Sequence, residues 1–435
     1  MTRLFYGWLM WLIQPLLRRK LRRRGVQEPG YLIAIEARFG HYTRPPVPPL
    51  DGHTVWIHAV SLGETRAAAG LIAYLREHLP GMRLLLTHGT ATGREEGAKL
   101  LQPGDLQTWQ PWDTPGAVKR FLTHFKPSLG ILMETEIWPQ LVACCQRLKV
   151  PLVVANARMS AKSQKRMRRL AWLSRPALGG LTAVWAQTEA DAQRLRQLGA
   201  PVQGVLGNLK FDATPQAALL GMGQLWRRQV GRPVVMLASS REGEEAALLE
   251  RLTASALVTD STAVQWLIVP RHPQRFNEVA ALIEAQGFEV SRRSHWHDGP
   301  SARTDARPVI WLGDSLGDMA LYYGLADVAL LGGSFEPLGG QNLIEAAACA
   351  CPMVMGPHTF NFSEAADWAE VAGAARRVAS LSQAVEVALA LVSDSVERAR
   401  MIHAAAEFSS AHRGALEKTG AAVLALLSQQ TVDRL

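Results

Sequence analysis

Glu64 closes the run Ile57-His58-Ala59-Val60-Ser61-Leu62-Gly63-Glu64, in which a short apolar segment turns through a glycine into a helix-like stretch. A carboxylate just beyond the carboxyl end of a strand stands where α/β proteins build their reactive sites, and it can take a proton from an attacking hydroxyl. Gly63 lets the backbone come close to a ligand. An acid in the first turn of a helix also complements the helix dipole, so position alone leaves both roles open. Met133-Glu134-Thr135-Glu136-Ile137-Trp138-Pro139 repeats the pattern, with two acids that simple helix capping would also explain. Asn156-Ala157-Arg158-Met159-Ser160 follows a third candidate strand end, and Gly207-Asn208-Leu209-Lys210-Phe211-Asp212 supplies a lysine.

The second half carries residues suited to a nucleotide. Pro270-Arg271-His272-Pro273 follows an apolar run, and its arginine can pair with a phosphate. Gly332-Gly333-Ser334 and Gly339-Gly340-Gln341-Asn342 bracket a loop that feeds a helix starting near Leu343. Glycine-rich backbone ahead of a helix start is a phosphate cradle, and Glu345 in the first turn can accept hydrogen bonds from ribose hydroxyls. No G-x-x-x-x-G-K-[ST] or G-x-G-x-x-G run occurs, which argues against a P-loop nucleotidase and a dinucleotide fold. A nucleotide-sugar donor fits best. Gly356-Pro357-His358-Thr359-Phe360-Asn361-Phe362 reads as part of the lining of that site, with a structural turn as the alternative.

These residues need a scaffold of strands that all point one way. Candidate strands are Val55 to Ala59, Arg83 to Thr87, Leu129 to Met133, Leu152 to Ala155 and Ala183 to Gln187, with amphipathic stretches between them. The pattern restarts with Val234 to Ala238, Trp266 to Val269, Val309 to Leu312, Val328 to Leu331 and Met353 to Met355. Short apolar runs alternating with longer helical ones predict parallel sheets covered on both faces. At 435 residues and 48% hydrophobic content the chain exceeds what one core usually organises. The expected architecture is α/β, two Rossmann-like domains facing a central cleft. The predicted divisions are an anchor and basic cluster over 1–25, an acceptor domain over 26–212, a linker over 213–231, a nucleotide domain over 232–408 and a C-terminal helix over 409–435. The proline-rich stretch 26–52 reads as a connector with little regular structure. The polar run from Arg292 to Arg307 reads as a surface loop without chemistry.

The formal charge is +9, but seven basic residues fall in the first 24 positions and seven more between Arg158 and Arg175, with no acid in either stretch. Without those fourteen the remainder stands at −5. The protein therefore has two basic patches rather than a basic surface. No nucleic-acid-binding signature accompanies them, so an anionic membrane surface is the expected partner and nucleic acid is not. From Leu4 to Leu17 the chain is apolar and aromatic, then enters the cluster Arg18 to Arg24. Fourteen residues are short of the roughly 20 a spanning helix needs. The charges follow the apolar segment, unlike those of a signal peptide. The segment is thus expected to stay attached as an interfacial or barely spanning anchor on the cytoplasmic side of a bilayer, the alternative being a first helix packed on the body. Cys144, Cys145, Cys349 and Cys351 lack zinc-site spacing and read as reduced core thiols.

Taken in order, the runs SLGE, METEIWP, NARMS, GNLKFD, VPRHPQRF, LGGS, GGQNLIEAAA and GPHTFNF resemble the 3-deoxy-D-manno-octulosonic acid (Kdo) transferase family of Gram-negative bacteria. The resemblance extends over nearly the whole chain, to Phe362. It implies a GT-B fold, CMP-Kdo as donor, lipid IV-A as acceptor, no metal or nicotinamide cofactor, and a place at the bacterial inner membrane in lipopolysaccharide synthesis. It puts Glu64 at the proton acceptor, and Glu134 and Lys210 at positions that stabilise the transition state. It puts CMP contacts on Pro270 and Arg271, on Leu316-Gly317-Asp318, and on Asn342, Leu343, Ile344 and Glu345. Family members often carry a longer acid where this chain has Asp318, which leaves that side-chain contact in doubt. His88 stands in a run where the family is threonine-rich and receives no role. The competing readings are a GT-B enzyme using a UDP-sugar and a non-catalytic membrane-surface protein with a degenerate transferase fold.

Overall fold

The computed structural model describes residues 2–43, 52–212, 214–254, 264–300 and 308–432. The chain divides into two compact units, the first comprising Met1–Asp212 with Arg413–Leu435 and the second Ala213–His412.

The first unit opens with α1 (Thr2–Leu12) and α2 (Gln14–Gln27). A parallel seven-stranded sheet follows: β1 (Thr54–His58), β2 (Arg83–His88), β3 (Leu106–Trp109), β4 (Leu129–Met133), β5 (Leu152–Ala157), β6 (Ala183–Ala186) and β7 (Val202–Val205). Their order is β3-β2-β1-β4-β5-β6-β7. The connecting helices are α3 (Leu62–His78), α4 (Ala91–Ala98), α5 (Pro115–Phe125), α6 (Pro139–Arg147), α7 (Ala161–Arg169), α8 (Ala171–Gly179) and α9 (Glu189–Gln197). Along β1, Val55 and Ile57 enter the core under α3, whereas Trp56 enters the opposite core with Phe121, so both faces of the sheet are buried. The chain builds outward from β1 through β2 to β3 and then crosses to the other side of β1 with β4, so the reversal lies between β1 and β4. Such a reversal leaves a crevice at the strands' carboxyl ends.

The second unit holds α10 (Ala217–Gln229), β8 (Val234–Ser240), α11 (Glu244–Ala254), β9 (Gln265–Pro270), α12 (Phe276–Ala285), β10 (Glu289–Arg292) and β11 (Val309–Leu312). It continues with α13 (Met319–Leu325), β12 (Val328–Leu331), α14 (Leu343–Ala348), β13 (Met353–Met355), α15 (Ser363–Val371), β14 (Ala375–Arg377), α16 (Leu381–Ser393) and α17 (Ser395–Ala411). Its parallel sheet runs β10-β11-β9-β8-β12-β13-β14, with the reversal between β8 and β12. The last helix, α18 (Ala415–Val432), returns to the first unit, where Asp212 caps it by accepting from the amides of Gly414 and Leu416 at 2.6 and 2.8 Å.

Three sequence expectations change. Within the stretch 213–231, read as a linker, Ala217–Gln229 forms α10 and packs on α13 inside the second unit; a Cβ at Gly223 would lie 2.1 Å from the Leu321 carbonyl. The proline-rich connector contains short helical turns at Pro29–Leu32 and Ile35–Phe39 that bury Tyr31 and Phe39, while Pro45, Pro46, Pro48 and Pro49 lie outside the described residues. The N-terminal segment is two helices. Among the described residues no helix is long and apolar enough to cross a membrane. One face of α1 is docked: Tyr6 hydrogen-bonds Asp113, and the Gln140 side chain donates to the Arg3 carbonyl at 2.7 Å. The other face leaves Trp8 and Trp11 each 61% exposed, beside Leu4, Phe5 and Leu16.

Candidate functional site

Ser61 starts α3 from an extended backbone, and its hydroxyl caps the Glu64 amide at 3.4 Å. Glu64 reaches back, accepting from the Val60 amide at 2.7 Å and from the Ser61 hydroxyl at 3.1 Å. This reciprocal arrangement is a capping box shifted by one residue, with the Val60 amide in place of the N-cap amide, so a helix-start role for Glu64 is present in the geometry. It also fixes the carboxylate at the end of β1, half-buried. Burial raises its pKa to about 7, opposed by the Val60 and Ser61 hydrogen bonds and assisted by the negative charges of Glu134 and Glu136. A carboxylate with that pKa takes a proton effectively near neutrality.

His88, to which the sequence assigned nothing, holds the segment before Glu64. Its Nδ1 faces the Ala59 carbonyl at 3.0 Å and its Nε2 faces the Gln107 amide nitrogen at 3.2 Å. Burial pushes its pKa down to about 4, which keeps the ring neutral. The Val60 carbonyl accepts from the amides of Gly89 and Thr90 and from the Thr90 hydroxyl.

Glu134 follows β4 across the reversal from β1, with a left-handed backbone at φ 60. A non-glycine residue there is strained, and such strain concentrates at functional positions. Its carboxylate binds the Lys210 ammonium at 3.0 Å, each side chain about a quarter exposed. Lys210 sits on the helical turn Leu209–Asp212. That turn is tied to β5 by Asn156, whose side-chain oxygen accepts from the Leu209 amide at 3.0 Å. Asn156 is also left-handed, at φ 55. Three sequence-flagged segments thus converge in one unit: Glu134 pairs with Lys210, and its charge is felt at Glu64.

In the second unit Pro270 ends β9, and the exposed Arg271 follows it with its amide bound to the Ser240 carbonyl at 3.0 Å. Leu316 and Gly317 lie in the loop before α13, Leu316 largely exposed and Gly317 left-handed at φ 90. Asp318 is held inside the unit, accepting from Ser315 at 2.8 Å and pairing with Arg293 at 3.3 Å. Arg293 therefore gives part of the run 292–307, expected to be an uninvolved loop, a structural link to a predicted donor segment; residues 301–307 lie outside the described residues. Asn342 caps α14 by accepting from the Ile344 amide at 3.2 Å. Leu343 and Ile344 are buried, so their side chains belong to the core, and Glu345 is half-buried in the first turn. Charges of both Arg271 and Glu345 act on buried Tyr323, which locates them around one residue.

The glycine cradle differs from expectation. The Gly333 amide donates to both carboxylate oxygens of Glu244 at 2.7 and 2.8 Å, and the Gly340 amide donates to the Gly333 carbonyl at 2.7 Å. These two amides are already satisfied internally. Glu244 and its neighbour Glu245, both fully buried, were missed in the sequence because acids opening a helix read as solvated caps.

The family model described as 3-Deoxy-D-manno-octulosonic-acid transferase (kdotransferase) matches residues 34–213. A 3-deoxy-D-manno-octulosonic acid transferase of Bordetella pertussis is 45% identical over 412 residues, covering 92% of this chain and 93% of the relative. One from Haemophilus influenzae is 33% identical over 425 residues, covering 96% and 97%. Among solved structures, a glycosyltransferase from Rickettsia africae is similar in fold, with a TM-score of 0.55 at 14% identity over 87% of this chain and 99% of that one.

Proposed function

Because the chain belongs to the 3-deoxy-D-manno-octulosonic acid transferase family and is a Kdo-transferring glycosyltransferase, we propose that it moves Kdo from CMP-Kdo to lipid IV-A during lipopolysaccharide core synthesis, with Glu64 as general base. The observation that carries the base assignment is the Glu64 carboxylate, fixed by Val60 and Ser61 and tuned to about 7 near the Glu134–Lys210 pair. Glu64 takes the proton of an acceptor sugar hydroxyl as that oxygen bonds to the anomeric C2 of Kdo. The bond from C2 to the phosphate oxygen breaks, its electron pair leaves with CMP, and C2 inverts. Lys210 and Arg271 offset the charge that develops, work that preorganised cations do at a cost of a few kcal/mol when removed. In this reading Pro270, Arg271, the Leu316–Asp318 loop and the Asn342–Glu345 segment hold CMP, and neither metal nor nicotinamide enters a step. Calorimetric titration tests the donor: CMP is expected to bind with UDP at least about tenfold weaker, a difference of about 1.4 kcal/mol. Preference for UDP would instead support a UDP-sugar transferase.

The acceptor is a lipid, and the exposed side of α1 supports a membrane-surface position on the cytoplasmic face of the inner membrane. Tryptophans favour the headgroup region, and the arginines of α2 favour anionic lipid. Two of those arginines turn back onto the protein: Arg18 pairs with Glu36 over the Phe39 ring, and Arg24 lies over Tyr31. Helix α7 adds a basic segment with no fully buried residue, seated on the core through Met167. Trp8→Glu with Trp11→Glu is expected to remove most of the protein from floated vesicles containing phosphatidylglycerol. Unchanged flotation of that variant would rule out α1 as the attachment.

A further inference from the structure

Glu244 opens α11 directly after β8, and the loop it touches follows β12, so it stands at the point where the second sheet reverses direction. Its carboxylate accepts from the Gly333 amide with both oxygens, from the Arg241 amide at 2.9 Å and from the Phe335 amide at 3.3 Å. It is 1% exposed. A buried carboxylate that satisfies three backbone donors is costly to remove, because each abandoned amide is left desolvated without a partner.

The residues it holds are joined to the loops assigned to the donor. The Gly333 carbonyl accepts from Gly340 at 2.7 Å, just ahead of Asn342 and α14. The Ser334 carbonyl accepts from the His358 amide at 3.0 Å, and the Gly339 carbonyl accepts from the Asn361 amide at 3.0 Å. On the other side, Glu245 accepts from Ser240 and from Arg275, both at 2.7 Å, and the Ser240 carbonyl receives the Arg271 amide. The two adjacent acids therefore link the ends of β8, β9 and β12.

We infer that Glu244 is a positioning residue for the nucleotide-sugar donor: it fills the crevice at the sheet reversal with a fixed internal anion and sets the Gly333–Phe335 segment, and through it Gly340 to Glu345, in the arrangement that receives CMP. The inference rests on the donor reading above. It also explains why the glycine run is present although two of its amides are spent: Gly333 adopts φ 67 and Gly340 φ 76, conformations the internal contacts require.

The test uses the full chain and Glu244→Gln, which keeps the size but sets an NH2 group against one of the amide donors. CMP affinity is expected to fall about 10- to 100-fold, the loss that goes with hydrogen bonds to a charged group. The KM for CMP-Kdo should rise with the lipid KM unchanged, and hydrogen exchange should quicken over 333–345 without quickening over 54–88. Glu244→Asp, which retains the charge but withdraws it by one methylene, is expected to show the same pattern to a smaller extent and serves if the glutamine variant does not fold. Parent-like CMP affinity and exchange in a folded variant would overturn the inference, as would faster exchange in both units with unchanged CMP affinity. The exchange measurement needs no donor, so failure of the parent to bind CMP would refute the donor reading separately.

Discussion

Glu64→Gln is expected to lower turnover by about 10²- to 10⁴-fold while leaving CMP affinity unchanged, the loss usual for removing a general base. Glutamine keeps the shape: its carbonyl oxygen can accept from the Val60 amide, which holds Glu64 at 2.7 Å, and its NH2 group can donate to the Ser61 hydroxyl oxygen where the carboxylate accepted from it at 3.1 Å. It cannot take the hydroxyl proton. The pH dependence should report the same group. Burial, helped by Glu134 and Glu136, raises the Glu64 pKa from 4.5 to about 7. The working form is the carboxylate, so kcat/KM should fall on the acid side of about pH 7, roughly tenfold per unit, and the glutamine variant should lose that limb. If Glu64 served only the capping box, the substitution would cost about 1 kcal/mol of stability and leave turnover nearly intact.

Lys210→Ala should cost about 10²- to 10³-fold in kcat, the range found when a preorganised donor to developing charge is removed. The lysine is fixed in place, with its ammonium 3.0 Å from Glu134 and its turn fastened to Asn156. Glu134→Gln should cost less, because it releases the ammonium without deleting it. The double variant should fall short of the product of the two losses, since residues sharing one ion pair are not independent. Additive losses, or full activity of Lys210→Ala, would remove the pair from the mechanism.

How far the sequence showed this arrangement depended on where each strand lies. The ten expected strands are all present, and the four that went unrecognised, Leu106–Trp109, Val202–Val205, Glu289–Arg292 and Ala375–Arg377, are the four edges of the two sheets. Interior strands such as Leu129–Met133 are buried on both faces and read as continuous apolar runs, whereas Val202–Val205 alternates half-buried with exposed residues and Glu289–Arg292 carries charges at both ends. The same reasoning applies to the candidate site. Glu64 and Glu134 stand at the ends of interior strands flanking a reversal, which the apolar pattern exposes, and Lys210 followed from its run near the unit boundary. Glu244 and Arg293 are buried or paired through partners 89 and 25 residues away, and no local pattern records such pairings. The N-terminal segment shows the limit from the other side. Its composition displays the apolar stripe, but the docking of α1 depends on Tyr6 and on Gly7, where a Cβ would come within 2.8 Å of the Gln140 side chain.

Kdo transfer from CMP-Kdo to a lipid IV-A hydroxyl activated by Glu64 leaves a product of defined mass. The decisive experiment is mass spectrometry of lipid IV-A incubated with the full chain and CMP-Kdo. The expected product is heavier by one or more Kdo units, formed with release of CMP and almost absent with Glu64→Gln over the same interval. Lipid IV-A of unchanged mass with the parent protein, or an equal yield from the glutamine variant, would contradict it.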